Sequence, residues 1–439
     1  MTSIRPARRV FVAAASLTAL LAAAACGGGG GDSAPAASAS GGADLTQQGD
    51  IEYWAGKDNT GDVKRMLDTF NAQHPNGKVT FRELPAAADQ QRQQMIQNFQ
   101  IKNPKMGVVS MDVVWVSEFA AKGIVTPLPA EQFPTEGVLQ PVVDAGTYFG
   151  KLYGYPASTD GGMIYYRKDL LEKYDVEVPT TFDEIKAACE KIRAGENNSK
   201  LECYAGQYDK YEGLTVNAAE MINTAGGVIV GDDGKPNVAT PEAAKGIQQI
   251  TDMLKDGTIP KGAITWKEEE GRAAFQAGNL IFQRNWPYAF SLFSKEDGSS
   301  KVNGKFGVAP LPSFTAGQPG VSSLGGHYNA IPTTAENKGT AADFLKFVAT
   351  EEEQRQQTIN ASTSPVLTAL FEDTELTTKY PYLPVLAESV ATAKARPKAA
   401  EYGDVTLAIQ DAIYPAIQGT TPADQALQGL QSKLQTLIK

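Results

Sequence analysis

Apolar residues fall along the first third of the chain in two alternating rhythms. Ile51-Glu52-Tyr53-Trp54 is a short β-branched and aromatic run. Val63, Met66, Leu67 and Phe70 then recur at helical spacing, with Thr60 or Asp62 placed to start the helix. Lys78 to Glu83 alternates about Val79 and Phe81 and predicts a second strand. Met95, Ile96 and Phe99 predict a second helix, and Met111 to Val116 a third, strongly apolar strand. Strand, helix, strand, helix, strand is the pattern of parallel βαβ units with right-handed crossovers, so the chain opens as α/β.

The pattern restarts after Tyr153. Met163 to Tyr166 predicts a strand and Asp169-Leu170-Leu171 a short helix. Thr181 with Glu184 makes a capping box ahead of Ile185, Cys189 and Ile192. Thr240-Pro241 starts a helix carrying Ile247, Ile250 and Leu254 on its inner side. Leu280 to Phe282 and Phe306 to Val308 are short buried-strand candidates. Ala341 to Phe347, Val405 to Ile417 and Pro422 to Ile438 are amphipathic, the last started by Thr421. A chain of 439 residues exceeds what one hydrophobic core usually serves, so two lobes are expected.

The first residues say where such a chain works. Arg5, Arg8 and Arg9 precede an apolar run from Val10 to Ala25, about the length of a signal core and short for a membrane span. Ala23-Ala24-Ala25-Cys26 resembles a bacterial lipobox, although a leucine is usual where Ala23 stands, and Arg8-Arg9-Val10-Phe11-Val12 resembles a twin-arginine export motif. Residues 1–25 are read as a signal peptide, with a plain secretory signal as the alternative. Residues 26–48 are read as an acylated Cys26 followed by a Gly/Ser/Ala/Pro tether with little to bury. The glycine run from Gly27 to Gly31 is not followed by Lys-Ser/Thr and is not read as a phosphate loop.

Charge narrows the partners. There are 40 basic and 50 acidic residues, and removing the three leader arginines leaves 37 against 50, a net −13. Such a surface, without a basic stripe, excludes nucleic acid as the partner. Cys189 and Cys203 remain after Cys26. In an exported chain they read as a disulfide, although Cys189 also shares the apolar face of Ile185 and Ile192, where a free thiol would fit. No cofactor or metal is implied.

Tyr153-Gly-Tyr-Pro-Ala-Ser-Thr-Asp-Gly-Gly-Met-Ile-Tyr-Tyr-Arg-Lys-Asp-Leu-Leu171 and Pro179-Thr-Thr-Phe-Asp-Glu-Ile185 closely resemble the central segment of family 1 extracellular solute-binding proteins, the maltose-binding class. Met111 to Trp115 with Glu118-Phe119-Ala120, Phe282 to Tyr288, Gly325-Gly326 and Ala395-Arg396-Pro397 fit in the same order. Gln90-Gln91-Arg92, Asp112 and the Ala-Arg-Pro segment look most like actinobacterial trehalose/maltose-binding lipoproteins of ABC importers. The resemblance implies an α/β, two-lobed periplasmic-binding-protein fold with hinge strands and an interlobe cleft. The N-terminal lobe would be 49–155 plus 308–355, and the C-terminal lobe 158–305 plus 360–439. Its partners would be a small carbohydrate and an ABC permease in the membrane, with a lipid anchor through Cys26 and a monomeric state as the default.

Sugars present hydroxyls that donate and accept, together with flat C–H faces. Carboxylates accept such hydroxyls strongly, which singles out Asp112 at the end of a strand and Asp160 in Ser-Thr-Asp-Gly-Gly. A helix cap (with Ser117 the better-placed cap) and a plain turn are their respective alternatives. Trp286, freed from strand pairing by Pro287, offers an indole face, with Tyr288 a weaker second aromatic. Trp54 reads as core. Gly325 and Gly326 would admit a close backbone approach, and Arg396 a forked donor. Asp58 and Asn59 could reach hydroxyls from the first helix's N-terminus, with Gln90 and Arg92 weaker candidates. His327 is noted because histidine is scarce.

Two rival readings belong to other classes. One is a secreted glycoside hydrolase with Asp112 and Asp160 as its carboxylate pair. Against it, Asp160 sits among small polar residues with no evident means of raising its pKa, and the chain has no nucleophile elbow and no HExxH. The other is a binding protein that serves a sensory receptor.

Overall fold

The computed structural model describes residues 44–438. The signal segment, Cys26 and the tether as far as residue 43 lie outside the described residues. The strands are β1 (Ile51–Ala55), β2 (Val79–Glu83), β3 (Met106–Asp112), β4 (Thr147–Tyr148), β5 (Lys151–Leu152), β6 (Tyr155–Pro156), β7 (Met163–Arg167), β8 (Glu202–Ala205), β9 (Leu280–Asn285), β10 (Phe306–Ala309) and β11 (His327–Ala330). One sheet has the order β2-β1-β3-β11-β6 and a second β10-β7-β9-β8, while β4 and β5 form a small hairpin.

In the first sheet β1 runs parallel to β2 and β3, with the helices Asp62–Gln73 and Ala88–Gln100 between them, as the alternating pattern predicts. The third strand ends earlier than its apolar run suggests. Asp112 accepts a hydrogen bond from the Val114 amide at 3.2 Å, which turns the chain into a short 3-10 turn at Val113–Trp115. Val113 to Val116 are apolar because they are buried as a turn and helix start, not because they are a strand. Ser117 is buried inside the next helix and caps nothing, so the carboxylate, not the serine, is the cap.

The first helix starts by an unexpected route. Oδ1 of Asp58 accepts from the Thr60 amide, the Thr60 hydroxyl and the Gly61 amide, and Oδ2 accepts from the Val63 amide at 3.0 Å. One side chain thus satisfies donors that the helix end leaves open. Elsewhere local rules hold. The Thr181 hydroxyl accepts from Glu184 N while Glu184 accepts from Thr181 N, and Thr240 caps Pro241–Asp256. The last helix, Ala423–Leu437, starts after Pro422 without a side-chain cap, so Thr421 does not open it.

Two backbone segments carry the chain between the sheets and pair side by side. The Gly325 amide donates to the Asp160 carbonyl (2.8 Å), His327 N to Ser158 O (3.1 Å), and Ala157 N to His327 O (3.0 Å). Val308 and Ala309, assigned by sequence to the first lobe, pair with Tyr165 and Ile164 of β7, so the return crossing comes after β10. The helix Glu351–Ala361 is tied to the first helix near its start, where Arg65 donates to Glu353 at 3.1 Å, and at its end the Ala361 carbonyl accepts from Ser291 at 3.1 Å. A buried cluster with Trp54, Val109 and Met111 on one side and Tyr165, Phe293 and Tyr382 on the other joins the two sheets.

Cys189, on the helix Phe182–Glu196, is bridged to Cys203 of β8, with their Cα atoms 5.4 Å apart. Closing a loop of this length contributes about 3 kcal/mol on the chain-entropy account. The double substitution Cys189→Ser/Cys203→Ser is expected to lower unfolding stability by about that amount. A shift of the urea midpoint to lower concentration checks it; an unchanged midpoint contradicts it.

Candidate functional site

Between the sheets lies a cavity of about 410 Å³. Asp58, Asn59, Asp112, Asp160, Trp286, Tyr288, Gly325, Gly326 and Arg396, far apart in sequence, all line it. Gln90 does not: it is exposed on the helix Ala88–Gln100, and the next residue, Gln91, faces the cavity instead. A helix turns by about 100° per residue, so neighbours in a Gln-Gln pair cannot share a face. Arg92 is held by Glu118 (Nε to Oε2, 2.6 Å) and does not line the cavity. Exposed His327 reaches its rim, while Trp54 is buried.

Each side chain has a local reason to be there. Asp112 ends β3, and Asp160 sits where the crossing segments pair. Trp286 follows the last residue of β9, and Pro287 prevents further pairing. Gly325 is needed for room: a Cβ there would lie 2.9 Å from Cζ3 of Trp286. Gly326 has φ +116° and its backbone lies against the Ser158 carbonyl, so only glycine fits without strain. Tyr288 donates to Glu269 Oε1 at 2.7 Å, which fixes its ring edge.

The carboxylates differ in what they have left to offer. Asp58 is occupied by the first helix's N-terminus. Asp112 Oδ1 accepts from Val114 N and from Nη2 of Arg396 at 3.1 Å. Asp160 Oδ1 accepts from the Ser364 hydroxyl at 3.0 Å. Among the described residues, Oδ2 of Asp112 and of Asp160 accepts no hydrogen bond. Burial pushes the Asp160 carboxyl up, against the downward pull of His327 and Ser364, so the polar setting read from its sequence neighbours does not hold.

The protein matches the bacterial extracellular solute-binding protein family over residues 42–355. The chain belongs to this family. A probable ABC transporter-binding protein of Deinococcus radiodurans is 33% identical over 387 residues, 85% of this chain and 89% of that protein. Maltose-bound MalE3 of T. maritima superposes with a TM-score of 0.83 at 30% identity, covering 89% of this chain and 100% of that one. The GacH receptor of Streptomyces glaucescens, solved unliganded and with acarbose, shares the fold at a TM-score of 0.78 and 22% identity, covering 89% and 98%.

In this solute-binding protein the most consequential cavity residue missed by sequence is Glu212. It opens a helix, Glu212–Thr224, that is buried nearly all round and so shows no amphipathic period. Only an acidic residue ahead of an apolar run marks it. Arg396, 4% exposed, donates from Nη1 to Glu212 Oε1 and from Nη2 to Asp112, joining the head of a buried helix to the end of β3. Tyr402 and Thr406 donate to the two Glu212 oxygens, each at 2.6 Å. Asp89 accepts from the Glu212 amide at 3.1 Å. One guanidinium thus joins two carboxylates, and a third, Asp89, sits against the amide of one of them.

Burial raises Glu212 to about 7; Asp112 and Asp89 add to the rise and Arg396 opposes it. The ordinary value is 4.5, so folding takes up a proton between the two. That stabilisation is present in acid and is lost as pH rises from about 4.5 through about 7. The wild-type stability advantage over Glu212→Gln is expected to shrink across that window, measured by urea unfolding at a series of pH values. A pH-independent difference contradicts the assignment.

Proposed function

We propose that this chain is the lipid-anchored substrate-binding component of an ABC sugar importer, taking a di- or oligosaccharide of the trehalose or maltose type. The observation that carries the reading is the convergence of the half-buried Trp286 indole with the open oxygens of Asp112 and Asp160 in one interlobe cavity. A pyranose laid on the indole buries C–H surface, and its hydroxyls donate to the two carboxylates. Asn59, Tyr288 and the glycine backbone at Gly325 and Gly326 complete the contacts. The lobes close by rotation at the paired crossing segments, and the closed form docks on the permease.

The names of relatives support the class and leave the sugar open: MalE3 is maltose-bound and GacH was solved with acarbose. Residues 1–48 supply the signal, the acylated Cys26 and the tether of this reading, and the chain acts as a monomer. We place the first lobe on the β2-β1-β3-β11-β6 sheet and the second on the β10-β7-β9-β8 sheet. A second reading, hydrolysis of a glycoside, draws on the burial-raised Asp160 near Asp112. Membership of a binding family weighs against it, and time-dependent release of monosaccharide is its signature.

Calorimetric titration with trehalose, maltose, maltotriose and sucrose tests the proposal. One sugar is expected to bind at micromolar or tighter affinity. Trp286→Ala and Asp160→Asn are each expected to weaken it about 10- to 100-fold, the scale of one lost aromatic platform or charge-assisted bond, without unfolding the protein. Absence of heat with all four sugars removes the α-glucoside assignment.

A further inference from the structure

Trp286 stands on a structure of its own. Its indole nitrogen has no hydrogen-bond partner among the described residues, so no polar contact sets the ring's plane. Two contacts do. The benzene edge passes over Gly325, and the ring centroid lies 3.9 Å from Cζ of Arg284. Arg284 is 1% exposed and does not line the cavity. Its guanidinium is held from behind on both sides. Nε donates to Glu220 Oε2 at 2.9 Å, Nη2 donates to Glu220 Oε1, and Nη1 donates to Gln207 Oε1 at 3.1 Å. Gln207 is itself fixed by Asn217 (2.9 Å) and by the Arg284 carbonyl (3.2 Å). Glu220 Oε1 also accepts from the Ser323 amide at 3.2 Å.

The second glycine of Thr-Asp-Gly-Gly belongs to this assembly. A Cβ on Gly162 would lie 2.6 Å from Nη2 of Arg284 and 2.7 Å from Oε1 of Glu220. The crossing segment therefore leaves room for a buried ion pair. Such a pair is a poor way to gain stability, since apolar side chains of similar size do as well or better in a core. What a guanidinium adds is a rigid plane that stacks on an indole face.

We propose that Arg284 is a positioning residue for ligand binding: the guanidinium, clamped by Glu220 and Gln207, fixes the plane of the Trp286 ring that faces the cleft. The inference rests on the reading of Trp286 as the sugar platform and adds a residue that no ligand touches. Arg284 acts through the ring, so its effect on affinity vanishes when the ring is gone.

Arg284→Lys keeps a cation for Glu220 and removes the plane, and the pair Glu220→Gln/Arg284→Gln removes both charges while keeping hydrogen-bonding groups. In the purified full-length protein, near-ultraviolet circular dichroism and tryptophan emission report the ring without ligand, and calorimetry with maltose and trehalose reports binding. Arg284→Lys is expected to change the Trp286 part of the spectrum, identified by subtraction of a Trp286→Phe variant, and to weaken sugar binding about 10-fold. In a Trp286→Ala background the same change is expected to weaken binding no further. Wild-type spectra and affinity in both Arg284 variants overturn the inference, as does an equal loss in the Trp286→Ala background. If Trp286→Ala itself binds like wild type, the platform reading fails, and any role for Arg284 in binding fails with it.

Discussion

The hydrogen bonds between Ala157–Asp160 and Gly325–His327 set the geometry on which the rest depends. They hold two extended segments together where the chain leaves one sheet for the other. Because backbone amides and carbonyls make the bonds, the pairing tolerates varied side chains but demands close approach. Gly326 meets that demand with a positive φ, and Gly325 does so by leaving space for an indole. Asp160 is consequently presented at the junction itself, buried enough to be pushed up, with one oxygen tied to Ser364 and the other open. The cleft is a product of how the chain crosses, not of a separate loop.

Around that junction, charge is arranged asymmetrically. Beside the second sheet, Arg284 and Glu220 form a buried pair backed by Gln207 and the Ser323 amide. Arg396 instead bridges Glu212, at the head of a buried helix, and Asp112, at the end of β3, so two carboxylates share it. The first arrangement is rigid. On the proposed reading the second is responsive, because closure of the lobes and titration of Glu212 would both change its partners. On the proposed reading, a sugar hydroxyl arriving at Asp112 meets a carboxylate already in contact with a cation, which lowers the electrostatic reward of binding but keeps the empty cleft from being a cluster of bare anions.

Much of this was legible in the sequence because it is local. The strand–helix alternation, the Thr181/Glu184 capping box, the cap at Thr240 and the release of Trp286 by Pro287 depend on a few adjacent residues. The cavity residues were found largely through resemblance to a family, since nothing in the spacing of Asp112, Trp286 and Arg396 announces that they meet. What was misread depended on partners distant in space or on burial on all sides. Asp58 gave no sign that it would cap the first helix, because its hydrogen-bond partners become available only when the helix forms. Glu212 was silent because a fully buried helix has no polar face to mark its period. Gln90 and Gln91 differ only in helical phase. Asp160 was judged by small polar neighbours in sequence, whereas its environment is set by burial and by His327 and Ser364, more than a hundred residues away.

The Cys189–Cys203 bridge also bears on how the chain avoids sticking to itself. Among the described residues β8 is an outer strand of its sheet, paired only with β9, and an outer strand presents backbone groups to any other extended chain. The bridge fastens the helix Phe182–Glu196 to that strand. An oxidised molecule therefore keeps this helix fastened to its outer strand, whereas a reduced one holds it there by packing alone.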